Sequence, residues 1–329
     1  MNENEPVHPW HHCHNCKASP IVGLRYHCET CPAGPDTDLC QPCYELLQKN
    51  EIQHPLENTP AFAGTHSITP HRFTAHEGKP LSQFLHWFEV TPSHAPEPKL
   101  AHPFIVRPIF TTNSDSIIGG YAFVANVGNN GHRFPILLTA FHVMDPIIKQ
   151  SGIDCTGQNP HYTGKEIPER IRDVSIFDVM APNWMMASLG EGGSMLVLPD
   201  ARVDDEEPYS NRDIAAFRVK DTRGLQPADL APKPPEKGET IWLVTRHPEK
   251  PGPRLYKAVV VEITDRVLVY MYADGSQPPK YSSGAPLVNR KGEVVGILVG
   301  GGCLNGHVLG HANHAGNIHQ HLAAFSATS

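Results

Sequence analysis

From Phe104 onward, short apolar segments rich in β-branched residues alternate with clusters of Gly, Pro and Asn. The segments FIVRPIF, GGYAFVANV, PILLTAF, DIAAFRV, TIWLVT, RLYKAVVVEIT, RVLVYMY, APLVN and EVVGILVG predict strands joined by turns, hence an all-β sandwich or barrel. Helical periodicity between them is nearly absent, which disfavours the alternating pattern of an α/β hydrolase. Before Phe104 the pattern changes. Pro80, Pro92, Pro96, Pro98 and Pro103 interrupt the stretch from Thr74 to Pro103. Only Leu81–Val90 has room for a short helix, and SHAPEPKLAHP predicts an extended, semi-rigid spacer. The longest apolar-rich runs, such as Tyr121–Val127 and Val294–Val299, fall far short of the ~20 residues a membrane helix needs. No membrane partner is expected.

A chain of 329 residues suits two or three domains. With 40% hydrophobic and 19% charged residues it can build a sizeable core, which excludes wholesale disorder. A net charge of −7 without a long basic run argues against a nucleic-acid partner. The opening MNENEP has neither a basic n-region nor an apolar h-region, so no secretory signal is expected.

Cysteine spacing adds chemistry. Six of the eight cysteines lie within the first 43 residues, as Cys13-x2-Cys16, Cys28-x2-Cys31 and Cys40-x2-Cys43. Two intervening residues let both thiolates face one tetrahedral zinc at about 2.3 Å. Six thiolates leave a second ion two ligands short, and His66 and His71 follow at a fitting spacing. His54 and His76 lie nearby as alternatives. Thiols kept for metal imply a reducing compartment, and a cytoplasmic location is expected.

The segment around these pairs resembles a ZZ-type zinc finger. His8-Pro9, Ile21-Val22-Gly23-Leu24-Arg25-Tyr26-His27-Cys28, Asp36-Thr37-Asp38-Leu39-Cys40-x2-Cys43-Tyr44 and His66-x4-His71-Arg72-Phe73 carry the likeness over residues 7–75. It implies a cross-brace of two structural zinc ions. One would sit on Cys13, Cys16, Cys40 and Cys43, the other on Cys28, Cys31, His66 and His71. Four protein ligands leave no open position for a substrate. Some members of the family capture protein N-termini with acidic side chains, and Asp36 and Asp38 match two such positions. Here the residue after the first cysteine is His14, not an acid, and the segment from Cys43 to His66 is long for the family. A carboxylate pair can hold an α-ammonium, but Asp also caps turns beside a metal, and both readings stay open.

In the β region three residue types occur in order. His142 closes Leu137-Leu138-Thr139-Ala140-Phe141-His142, Asp213 opens Asp213-Ile214-Ala215-Ala216, and Ser283 lies in Tyr281-Ser282-Ser283-Gly284-Ala285-Pro286. A serine hydroxyl needs a base to take its proton, and the base needs a carboxylate to fix its tautomer. His…Asp…Ser is one of the known orders of that triad. Asp173 and Asp178 are rival acids.

These segments resemble a trypsin-like serine peptidase of chymotrypsin fold, nearest to the HtrA group, over residues 104–325. The resemblance implies two six-stranded β-barrels with the site between them, and a protein or peptide substrate. It assigns His142 as general base, Asp213 as its orienter and Ser283 as nucleophile. The N–H groups of Tyr281 and Ser283 would form the oxyanion hole, and Gln277 and Gly301 would line the specificity pocket. A neutral floor implies a small or apolar P1 residue. The family has Gly where Tyr281 stands, and glycine reaches backbone angles that other residues avoid. A Tyr281 N–H turned away from the hole would leave a weak enzyme or a peptide-binding relative. Ser282 replaces the Asp that pairs with a newly cut N-terminus, so Ile117-Ile118-Gly119-Gly120 is not expected to be an activation site. The late histidines His307, His311, His314, His319 and His321 read as an exposed loop leading to a terminal helix; a third metal site is the other reading.

The expected organisation is mostly β: a finger over residues 7–75, a Pro-rich linker over 76–103 and a double barrel over 104–325.

Overall fold

The computed structural model describes residues 2–29, 37–54, 71–100, 104–113, 116–129, 132–144, 171–179, 187–196, 198, 201, 212–221, 224–246 and 252–328. Cys31, Asp36, His66 and Cys155 lie outside them. The described residues gather into two compact units. One centres on Met1–Glu89 with Gly301–Leu309, and the other on Val90–Ile153, His161–Gly300 and Gly310–Ser329. No helix among the described residues is long and apolar enough to cross a membrane.

The first unit contains strands β1 (Pro6–His8), β2 (Ile21–Val22), β3 (Arg25–Cys28) and β4 (Asp38–Cys40), helix α1 (Gln41–Gln48), and strands β5 (Phe73–His76) and β6 (Lys79–Pro80). Pro42 lies in the first turn of α1, where its missing N–H costs nothing. Strand β3 is central, pairing Arg25 with Cys40 and Cys28 with Phe73. The core is small: Cys13, Ile21, Leu39, Cys40 and Cys43 are buried, and Tyr26, Tyr44, Leu47, Ile52 and Phe73 pack on them. Tyr26 and Tyr44 stack with ring centroids 3.9 Å apart.

The unit runs on past residue 75. Strand β6 pairs with β1 at Pro6 and Val7. Two 3-10 turns, Leu81–Gln83 and Leu85–Trp87, then bury Leu81, Phe84 and Trp87. The single short helix anticipated over Leu81–Val90 is replaced by these turns, because its apolar residues anchor the chain at three points. Ser93 bonds Thr240 through both its N–H (3.1 Å) and its hydroxyl (2.8 Å), so the chain is tied down again soon after.

The second unit begins with β7 (Arg107–Thr111), β8 (Ser116–Ile118), β9 (Phe123–Asn129), β10 (His132–Thr139), β11 (Asp173–Phe177), β12 (Ser188–Leu196), β13 (Ala215–Asp221) and β14 (Ala228–Asp229). They form one sheet ordered β14-β9-β10-β13-β12-β11-β7-β8. A bridge between Val106 and Ala122, with N–H···O distances of 2.8 and 2.9 Å, joins the start of β7 to the start of β9. That bridge closes β7, β11, β12, β13, β10 and β9 into a six-stranded barrel. Strands β7 and β11 alternate buried and part-exposed residues with the period of two that a one-sided core requires.

The remaining strands are β15 (Thr240–Arg246), β16 (Pro253–Ile263), β17 (Leu268–Tyr272), β18 (Pro286–Val288), β19 (Val294–Leu304) and β20 (His307–His314). They close a second barrel in the order β15-β16-β17-β20-β19-β18. All five residues of β17 are buried, so this strand is covered on both faces.

The chain ends in helix α2 (Ala315–Thr328). The terminal helix agrees with expectation, but the exposed loop before it does not. Residues His307–His314 are a barrel strand in which His311, Asn313 and His314 are buried. Burial lowers the pKa of His314, and the neutral ring donates from Nε2 to the Thr264 carbonyl (3.0 Å). Its Nδ1 accepts the Asn317 N–H at 3.3 Å. His319 bonds the Ala231 carbonyl at 2.8 Å. These histidines fasten α2 to the barrel; among the described residues they form no metal cluster.

Candidate active site and metal centres

Antiparallel pairing brings two of the three expected catalytic types together. In the β10–β13 ladder Thr139 faces Ala215. His142 follows β10 in the 3-10 turn Phe141–Met144, and Asp213 precedes β13, so both leave the same end of neighbouring strands. Asp213 Oδ2 lies 2.7 Å from His142 Nδ1, and Oδ1 accepts the His142 backbone N–H at 2.9 Å. This two-point contact fixes both the ring and its main chain. The Asp213 side chain is 5% exposed and that of His142 24%, so the carboxylate is enclosed while the imidazole reaches solvent. Of the rival acids, Asp173 lies on β11, within 3.8 Å of Lys220, and Asp178 is buried at the end of that strand.

Ser283 comes from the second barrel. Its carbonyl accepts the Tyr121 N–H at 2.8 Å, and the Tyr121 carbonyl accepts the Thr139 hydroxyl at 2.7 Å. The strand that delivers the base is therefore linked through Tyr121 to the nucleophile turn. Gly284, at φ +83°, fits closely there: a Cβ would overlap the Tyr121 carbonyl oxygen and the Thr139 hydroxyl. Gly120 likewise leaves space for the Ser283 carbonyl. In the Ile117–Gly120 segment, Ile117 and Ile118 belong to β8 at the edge of the sheet, and Gly119 packs on Val143 and Phe110. The half-buried Ser283 hydroxyl donates to the Val299 carbonyl at 3.5 Å. Ser282 is buried, and its hydroxyl donates to the Pro279 carbonyl at 2.5 Å.

Tyr281 is the departure on which the site turns. It adopts φ +65° and is 80% exposed. A tyrosine therefore holds a left-handed backbone that glycine would reach without strain, at a cost on the order of 1–3 kcal/mol. Its side chain contributes little packing in return. Gln277 and Gly301 are both exposed.

In the first unit, one ligand atom from each of Cys13, Cys16, Cys40 and Cys43 lies within 4.8 Å of the others. Cys16 Sγ and Cys40 Sγ are 3.7 Å apart. Tetrahedral zinc with 2.3 Å bonds puts two sulfurs about 3.8 Å apart, whereas a disulfide needs about 2.0 Å. The Asn15 amide donates to Cys43 Sγ at 3.3 Å, as a thiolate would accept. Burial opposes ionisation of Cys13, but N–H donors of Cys40, Cys16 and Asn15 hold its thiol at about 7. Burial, with help from neighbouring thiols, pushes Cys40 and Cys43 up. Four thiols this close ionise together only around a cation, so the set fits zinc.

A second cluster joins Cys28, His54 and His71. Cys28 Sγ and His71 Nδ1 are 3.7 Å apart, and the His54 and His71 rings stack at 3.8 Å. Cys31 and His66 lie outside the described residues, and among the described ones His54 stands beside Cys28 and His71. His54, one of the alternatives to His66 that the sequence leaves open, is the histidine found in this cluster. The signal was present, since His54 is the first histidine after Cys43.

Asp38 also has a different place from the one expected of an open ligand site. It is 1% exposed, and its oxygens meet His11 Nδ1 (2.8 Å), His27 Nδ1 (2.9 Å) and Arg25 Nη1 (3.2 Å). Burial alone would raise this carboxyl, but the hydrogen bonds of His11 and His27 and the charge of Arg25 hold it well below the usual carboxylate range. Through these contacts Asp38 ties β3 to β4.

Two barrels with a histidine–aspartate contact and a serine turn between them define a chymotrypsin-type peptidase fold. The model of the trypsin-like peptidase domain matches residues 120–297, and the chain belongs to that family. The ZZ-type zinc finger model matches residues 7–54, ending on His54. Similar solved structures include the active form of the Rv3671c protease from M. tuberculosis, at 16% identity and TM-score 0.41, covering 71% of this chain and 90% of that one. Another is the MamO protease domain from Magnetospirillum magneticum, at 14% identity and TM-score 0.37, covering 67% and 95%. A human pathogenic astrovirus serine protease is 16% identical with TM-score 0.36, covering 67% and 94%. No match was found among curated proteins.

Proposed function

We propose that the chain is a serine endopeptidase of a reducing compartment, with His142, Asp213 and Ser283 as its triad and a two-zinc finger that recruits its protein substrate or a partner. The observation that carries this reading is the two-point contact of Asp213 with His142. With Nδ1–H held toward Asp213, Nε2 is left basic. It takes the Ser283 proton as Oγ attacks the scissile carbonyl, and the charge passes to the carbonyl oxygen. The N–H groups of Tyr281 and Ser283 would receive that oxyanion. As the tetrahedral species collapses, His142 returns the proton to the departing amine. Water then attacks the acyl-Ser283 ester with His142 again as base, releasing the acid and restoring the hydroxyl. Zinc supplies only structural cross-linking here: Cys13, Cys16, Cys40 and Cys43 would hold one ion, and Cys28, Cys31, His54 and His71 the other.

The reading is tested by labelling with a fluorophosphonate. Wild type should take label, and Ser283→Ala should take none and cleave no unstructured protein. If neither protein labels or cleaves, and both bind the unfolded protein alike, the domain is a peptide-binding relative instead.

The left-handed φ of Tyr281 supports an intact oxyanion hole and gives a separate expectation. Tyr281→Gly should keep at least wild-type kcat, because the conformation becomes unstrained and an exposed ring is all that is lost. Tyr281→Val, β-branched at positive φ, should turn the N–H away and lower kcat on the order of 10²-fold. Steady-state kinetics of both variants check this; equal loss in both would assign the effect to the phenol ring.

A further inference from the structure

Asn313, on β20, is 1% exposed. Its Nδ2 donates to the Asp213 carbonyl oxygen at 2.9 Å, while its Oδ1 is buried without a hydrogen-bond partner among the described residues. An orphaned amide oxygen in the interior is unfavourable, and leucine would occupy the same volume without it. The amide is accounted for if its donor is needed at Asp213. That residue stands just outside its ladder: β10–β13 pairing begins at Ala215, and the Ile214 N–H turns back to the Arg212 carbonyl at 2.8 Å.

We infer that Asn313 is a positioning residue for the triad, fixing the Asp213 main chain so that both carboxylate oxygens meet His142. The inference rests on the triad proposed above. The other end of the link is the barrel that carries the nucleophile. Strand β20 borders β19, and a Cβ at Gly296 would come within 2.9 Å of the Asn313 carbonyl oxygen. Strand β19 in turn holds the nucleophile turn, through Gly284 N–H to the Leu298 carbonyl and Leu298 N–H to the Ala285 carbonyl, each 2.9 Å. Through one amide, the barrel bearing Ser283 sets the position of the acid delivered by the other.

The test uses full-length protein and the rate of Ser283 labelling by a fluorophosphonate across pH. Asn313→Leu keeps volume and removes the donor. It should slow labelling about tenfold, the size of one lost hydrogen bond in the transition state. The pH midpoint should shift, kcat on a peptide should fall with KM within twofold, and the downfield proton resonance of the His142–Asp213 hydrogen bond should move. Asn313→Gln, which retains a donor, should recover part of the rate. A folded Asn313→Leu protein with wild-type rate, pH midpoint and proton resonance overturns the inference. If leucine prevents folding, Asn313→Ala is read by the same assays with the same criterion. A wild type that takes no label removes the triad reading and this inference with it. A labelled wild type beside an unaffected leucine variant removes the inference alone.

Discussion

Replacing Asp213 by asparagine is expected to lower kcat on the order of 10⁴-fold without unfolding the domain. Asn keeps the shape, and its carbonyl oxygen can still accept the His142 N–H that now meets Oδ1 at 2.9 Å. The amide NH2 then occupies the Oδ2 position, 2.7 Å from Nδ1. Two donors cannot face each other there, so Nδ1 must give up its proton and become an acceptor. The remaining ring proton moves to Nε2, the atom that must receive the Ser283 proton. An enclosed carboxylate, with a side chain 5% exposed, cannot be replaced by water in this role. Thermal unfolding measured beside kcat separates the two effects, and an Asp213→Asn enzyme with near wild-type turnover would remove Asp213 from the mechanism.

Stripping the metal from the first unit is expected to unfold it. The core around Cys13, Ile21, Leu39, Cys40 and Cys43 is small, and three of those five residues are thiols. Structural zinc contributes an apparent ~10–16 kcal/mol to the folding of small fingers near pH 7, more than such a core supplies. A strong chelator, or Cys40→Ser, should abolish hydrogen-exchange protection in β3, β4 and α1 while protection in β15–β17 persists. Metal analysis should return two zinc ions per chain, and His54→Ala should reduce this to one while His66→Ala leaves two. A protected finger after complete metal removal would show that packing alone suffices. Loss of the second ion in His66→Ala rather than His54→Ala would restore the ligand expected from sequence.

Much of the architecture was legible because its signals are local. Strand-and-turn punctuation after Phe104 is a property of consecutive residues, and it predicted the β domain without any knowledge of pairing. Cys-x2-Cys spacing is equally local, since two intervening residues are what let neighbouring thiolates face one ion. The histidines were harder. His54 and His66 are chemically equal candidates, and only the folding of β3 against β5 brings Cys28 and His71 beside one of them. Asp38 stayed open between a ligand role and a structural one, because sequence records its charge but not its burial among His11, His27 and Arg25. The His307–His314 run looked like a polar loop because polarity predicts exposure on average. In β20, buried His314 and Asn313 instead bond main-chain carbonyls.

The sequence by itself determined which residue types are available and in what order: six paired thiols, a histidine after one strand, an aspartate before another and a serine before a glycine. Tertiary structure decided which of them meet. The Val106–Ala122 bridge closes the first barrel, the β10–β13 register sets Asp213 on His142, and the tie through Tyr121 holds the Ser283 turn beside β10. These contacts join residues far apart in the chain. Their formation depends on ladder register and barrel closure, and no window of neighbouring residues contains that information. The same reason explains Tyr281. Its identity suggested a missing oxyanion donor, whereas its backbone takes the positive φ that glycine reaches without strain.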